Sequence, residues 1–98
     1  MKHSKTTQKL ENKVNKTLEN LKLLLTKELN GFIDIHYTVK FDSFPNSLLV
    51  HCSFDSTENL SQAKTKEVTY QKKLHQLLFK QGILLKNSSH NLFFIETE

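Results

Sequence analysis

Leu25-Thr26-Lys27-Glu28-Leu29-Asn30-Gly31-Phe32-Ile33-Asp34-Ile35-His36-Tyr37 contains a change of period. Before Gly31 the apolar residues Leu10, Val14, Leu18, Leu21, Leu25 and Leu29 recur in steps of three and four. At about 100° per residue they fall in a sector roughly 100° wide, which is the buried stripe of a helix. Gly31 stands just past that stripe, where a residue without Cβ takes the left-handed cap. After it the period is two. Ile33, Ile35, Tyr37, Val39 and Phe41 point one way and Asp34, His36, Thr38 and Lys40 the other, as in a half-buried strand.

The same reading extends in both directions. Thr6 or Thr7 can cap the first helix. Residues 1–6 carry no apolar pattern and form a flexible arm, leaving a single domain over 7–98. Asp42-Ser43-Phe44-Pro45-Asn46-Ser47 is turn chemistry. Leu48, Val50, Cys52 and Phe54 then alternate with Leu49, His51 and Ser53, which completes a hairpin. Ser56 or Thr57 opens a second helix that buries Leu60, Ala63, Tyr70, Leu74, Leu77 and Leu78. Gly82 closes it, with Ile83 against Leu78 as in a Schellman cap. Leu92-Phe93-Phe94-Ile95 is a short strand, apolar on both faces. The expected fold class is α+β in the order α-β-β-α-β, with a three-stranded sheet and two helices on one face. Leu21, Leu25, Ile35, Tyr37, Val50, Phe54, Leu74, Leu78 and Phe94 should be core.

Composition narrows the function classes. The chain's 98 residues make one domain. Both of its glycines serve as helix stops, so none remains for a phosphate-cradling loop, and no cofactor motif is present. No apolar run approaches the roughly 20 residues of a membrane span, and the polar start is not that of a signal peptide. The single cysteine, Cys52, cannot form an internal disulfide, which fits a reducing cytoplasm. The net charge of +4 is unevenly spread: +5 over residues 1–27, −4 over 28–63, +5 over 64–86 and −2 in the tail. Every basic residue is lysine, which neutralises phosphate as a point charge but lacks the fork that reads bases.

Lys9, Lys13, Lys16 and Lys27 share one sector of the first helix, opposite its leucine stripe. A row of cations on one helix face suits an RNA or DNA backbone or an acidic partner, although a charged helix back is also the ordinary solvated state. Lys64, Lys66, Lys72, Lys73 and Lys80 look more scattered. Val68, His75 and Phe79 form a second apolar strip on the second helix, and Leu23 is a similar misfit on the first. Such groups mark a protein interface, a homodimer being the commonest kind. His36 and His51 share the open sheet face, with His90 as a possible third. With turn 42–47 centred between the strands, His36 faces Ser53 and Thr38 faces His51. Zinc would need about four ligands there, and solvent-facing histidines are the expected state. His51 and Cys52 point to opposite faces, so they form no nucleophilic pair. The sequence contains no catalytic set and no metal set.

Gly31-Phe32, Phe44-Pro45-Asn46-Ser47-Leu48, Cys52-Ser53-Phe54-Asp55, Gly82-Ile83-Leu84-Leu85-Lys86 and Phe94-Ile95-Glu96-Thr97-Glu98 carry a resemblance. Across residues 32–98 the chain resembles a small uncharacterised family of gammaproteobacterial proteins, often labelled Fis-family transcriptional regulators. It departs from that family at Ile95, where an aspartate would stand. Fis proteins are all-helical and end in a basic helix-turn-helix, whereas this chain ends in a strand, so no DNA-reading residue carries over. The element order is also similar to that of KH-like domains of the ribosome-binding factor A and BolA kind, without the Gly-X-X-Gly loop that clamps RNA in ordinary KH domains. Lysine row and element order together give the expectation of a non-enzymatic cytosolic protein that binds nucleic acid or a ribonucleoprotein. The alternative is a protein-interaction module acting as homodimer or adaptor.

Overall fold

The computed structural model describes residues 5–86 and 88–97. Helix α1 runs Lys5–Glu28, strand β1 Phe32–Thr38, strand β2 Leu49–Phe54, helix α2 Thr57–Lys64, helix α3 Glu67–Lys80 and strand β3 Leu92–Glu96. Short 3₁₀ turns at Phe41–Ser43 and Ser88–His90 precede β2 and β3. The α+β order is the expected one, in two layers. β2 is the central strand, antiparallel to β1 and parallel to β3. The parallel pair needs a crossover, which α2 and α3 supply.

One layer is the sheet and the other is α1 with α3. α1 packs on β1 and on α3, and α3 packs on β3. The leucine stripe of α1 meets the inner face of the sheet, where Val50, Cys52, Phe54, Leu92 and Phe94 are buried. The ring of Phe54 lies 5.1 Å from Phe94 and 6.0 Å, edge-on, from Phe32; Tyr70 packs 5.9 Å from Phe94. These offset and tilted contacts suit the quadrupoles of the rings.

Both glycines have positive φ, +80° at Gly31 and +82° at Gly82. At Gly82 the Ile83 N–H donates to the Leu78 carbonyl and the Gly82 N–H to the Phe79 carbonyl, both at 2.9 Å, which is the Schellman pattern. Gly31 does a second job. Its carbonyl accepts the Asp55 N–H at 2.9 Å, and Asp55 in turn holds Asn59. A Cβ at Gly31 would stand 2.5 Å from Asn59 Nδ2 and from Asp55 Oδ1, so the first helix stop is also the seat of the α2 N-terminus. Ser56 caps α2 by accepting the Asn59 N–H.

Four sequence expectations change. The second helix is two helices, broken at Thr65–Lys66, where Lys66 N–H turns back to the Ala63 carbonyl and Thr65 Oγ1 donates to the Gln62 carbonyl. α1 begins at Lys5, so Thr6 and Thr7 stand inside its first turn and not before it; residues 1–4 of the expected arm lie outside the described residues. A β-bulge between Phe32 and Asp34 turns Ile33 out to 50% exposure and puts Phe32 on the core in its place. The hairpin register is His36 opposite His51 and Thr38 opposite Leu49, shifted by two from a turn centred on 42–47, because the chain between the strands runs from 39 to 48.

Candidate nucleic-acid interface

The helical layer has one face on the sheet and one in solvent. On α1 the outward sector carries Lys9, Lys16 and Lys27, all exposed, with Lys13 half-buried at its margin. Lys9 and Lys27 are 18 residues apart, so the row extends about 27 Å along the helix. Among the described residues no ion pair engages any of the four. Lys22 of α1 lies off this sector and meets Asp34 of β1 at 3.0 Å. Its hydrogen bond, followed by that of the Ile35 N–H, holds the Asp34 carboxyl below its ordinary value.

α3 adds to the same face. Leu74 and Leu78 are buried toward the sheet, while Lys72, Lys73 and Lys80 are exposed. Both helices lie on one side of the sheet, so residues opposite their buried stripes face the same solvent. Lys73 and Lys80 are seven residues apart and share one sector of α3, whereas Lys72, seven residues before Phe79, shares the sector of that ring. The break after Lys64 separates them from Lys64, which is tied to Glu67 at 3.4 Å. Two side-chain hydrogen bonds tie the layer together: Tyr70 Oη donates to Glu28 Oε1 at 2.7 Å and Tyr37 Oη to Asn15 Oδ1 at 2.7 Å, joining α1 to α3 and to β1. Burial first, and then the Glu28 carboxylate, push the Tyr70 hydroxyl up to about 12.

The four expected interface residues do not form one patch. Val68 and Phe79 are 60% and 62% exposed on α3, and the His75 ring lies 6.4 Å from that of Phe79. Tyr70, which bonds to α1, is nine residues from Phe79, so at 100° per residue Phe79 projects from the opposite side of α3, away from α1. Leu23, 70% exposed on α1, therefore cannot join that strip. It lies instead within the lysine sector, seven residues after Lys16 and four before Lys27.

The outer face of the sheet has a different chemistry. His36 and His51 are directly opposed, and the His51 ring lies tilted, 6.4 Å from that of Phe93. His90 stands in the 3₁₀ turn before β3. His36 Nε2 is 4.0 Å from Asp34 Oδ2, and among the described residues no group of three or more His, Cys, Asp or Glu could hold a metal ion. Cys52 is fully buried on the inner face, and burial pushes its thiol up to about 12, so it stays protonated and unreactive at neutral pH. No protein-family model, no curated protein and no solved structure matches the chain. The functional reading therefore rests on this geometry. Among the described residues, no helix is long and apolar enough to cross a membrane.

Proposed function

We propose that the chain is a non-enzymatic cytosolic binding protein that docks the phosphate backbone of a nucleic acid, free or within a ribonucleoprotein, on the solvent face of its helical layer. The observation that carries this reading is the row Lys9, Lys13, Lys16 and Lys27, held on one rigid helix with no ion-pair partner among the described residues. An unpaired cation row attracts a polyanion and releases its counterions on contact. Lys73 and Lys80 of α3 widen the charged face. The helix-strand-strand-helix-strand order shared with KH-like domains supports the same reading, and the buried, unpaired Cys52 supports a reducing compartment. With lysine and no arginine, recognition is of backbone rather than base sequence.

Fluorescence anisotropy with labelled single-stranded RNA, duplex RNA and duplex DNA at low salt tests the proposal. Binding to at least one of them is expected, together with a loss of about tenfold or more when Lys9, Lys13, Lys16 and Lys27 are all replaced by Gln. Absence of binding to all three at low salt refutes it.

A second reading draws on the exposed pair Val68 and Phe79 with the His75 ring beside them. In that reading α3 docks a protein partner or a second copy, and the lysines serve solubility. A Phe79→Lys variant would then lose association while keeping whatever affinity for RNA the chain has.

A further inference from the structure

The two edges of the sheet are finished differently. On β2, the Val50 N–H reaches the Asn91 carbonyl and the Phe54 carbonyl accepts the Thr97 N–H, so the backbone groups of Val50, Cys52 and Phe54 face β3. The outward groups of β3 are then those of Leu92, Phe94 and Glu96, and side chains of α3 bond to the first two. Gln71, a buried side chain, donates to the Leu92 carbonyl at 3.0 Å, and Glu67 accepts the Phe94 N–H at 2.8 Å. By the same alternation Leu49, His51 and Ser53 bond across to Thr38, His36 and Asp34. The backbone groups of Ile35 and Tyr37 therefore point away from the sheet. Asp34 Oδ1 takes the Ile35 N–H at 2.8 Å, but among the described residues no element covers the Ile35 carbonyl or the Tyr37 N–H and carbonyl. An uncovered edge is a template for another strand.

The side chains along that edge select the strand. The outer face of β1 reads Asp34, His36, Thr38, and the alternation carries on past the end of the strand to Lys40, with an anion at one end and a cation at the other. Lys40 is exposed with no ion pair among the described residues, and Ser47 fixes its backbone through both its N–H and its carbonyl. On the inner face the apolar alternation of Ile35 and Tyr37 continues to Val39, which packs on the core. We propose that β1 pairs antiparallel with β1 of a second copy about a twofold axis through Tyr37. That register sets Asp34 of each copy opposite Lys40 of the other, and His36 opposite Thr38, so that Asp34, already 3.0 Å from its own Lys22, stands between two lysines and no like charges are directly opposed. It pairs the backbone of Tyr37 with itself and that of Ile35 with Val39, the Ile35 N–H exchanging Asp34 Oδ1 for the Val39 carbonyl of the second copy, and joins two three-stranded sheets into one of six. Closure by a twofold leaves no further copy of this edge open. The pairing does not depend on the nucleic-acid reading, but because α1 packs on β1 it would bring two lysine rows together on one face.

Sedimentation of the wild-type chain from low micromolar to millimolar concentration should show a monomer–dimer equilibrium. Lys40→Asp places like charges opposite each other twice and should weaken it about tenfold or more. The double variant Asp34→Lys with Lys22→Asp keeps the pairing within one chain but reverses its sense, and should also be weakened about tenfold on its own. Mixed together, these two variants have opposite charges at both contacts, so the heterodimer should form with near wild-type affinity. Phe79→Lys should leave the equilibrium unchanged. A wild-type chain monomeric at millimolar concentration overturns the proposal. So does a mixture that associates no better than its parts, or a dimer lost with Phe79→Lys and retained with Lys40→Asp.

Discussion

Replacing Thr17 by Val should make the protein more stable. Thr17 lies on the buried face of α1, between Val14 and Leu21, and is 1% exposed. Its Oγ1 is buried without a hydrogen-bond partner. A hydroxyl taken out of water and left unpaired costs about 1–3 kcal/mol. Valine has the same branched shape and similar helix propensity, so the exchange removes the desolvation cost and changes little else. The expected gain is about 1–2 kcal/mol at unchanged m-value, or roughly 4–8 °C in Tm per kcal/mol for a domain of this size. Thr17→Ser is the control. It keeps the hydroxyl and loses a methyl, so it should fall below wild type by about 1 kcal/mol. Urea titrations of the three proteins give the ranking. If Val is no more stable than Thr, the hydroxyl has a bond to its own helix and the reasoning fails.

Gly31→Ala should cost well over 2 kcal/mol, because it adds contacts of 2.5 Å with Asp55 and Asn59 to the left-handed strain, whereas Gly82→Ala meets open space and should cost only about 1–2 kcal/mol. Equal losses in parallel thermal melts would show that the Gly31 seat is not tight. The pKa of the buried Cys52 thiol is raised from its ordinary value of 9.0 to about 12, so its contribution to stability is complete below pH 9 and is lost as pH rises toward 12. Denaturant midpoints should therefore fall from about pH 9 in the wild type, but only from near pH 10, where Tyr70 in the unfolded chain ionises, in a Cys52→Ala variant. Coincident alkaline limbs would contradict the assignment.

The elements were legible where apolar spacing is regular, and the helix ends where a glycine follows it. The α1 stripe, the β2 alternation and the cap after Leu78 show this. The bulge was not, because Phe32 and Ile33 are both apolar and either parity satisfies a period of two. The break between α2 and α3 carries no Gly or Pro. Ala63 and Tyr70 are seven residues apart, so the two halves read as one continuous stripe. Gln71 and Asn91 are buried for their hydrogen bonds to Leu92 and Leu48 carbonyls, partners that no local pattern announces. The lysine row on α1 was readable because one helix fixes its own angles. The share from α3, and the separation of Leu23 from the Phe79 strip, needed the packing of one helix on another.

The most direct test of the lysine face is the salt dependence of nucleic-acid affinity across a graded series, with one, two, three and then four of Lys9, Lys13, Lys16 and Lys27 replaced by Gln. If all four contact phosphate, they should contribute a slope of roughly −2.8 to −3.6 to log K against log salt, and about 0.7–0.9 of it should be lost with each lysine removed. A slope that stays constant through the series would mean that the polyanion binds elsewhere, and would contradict the account.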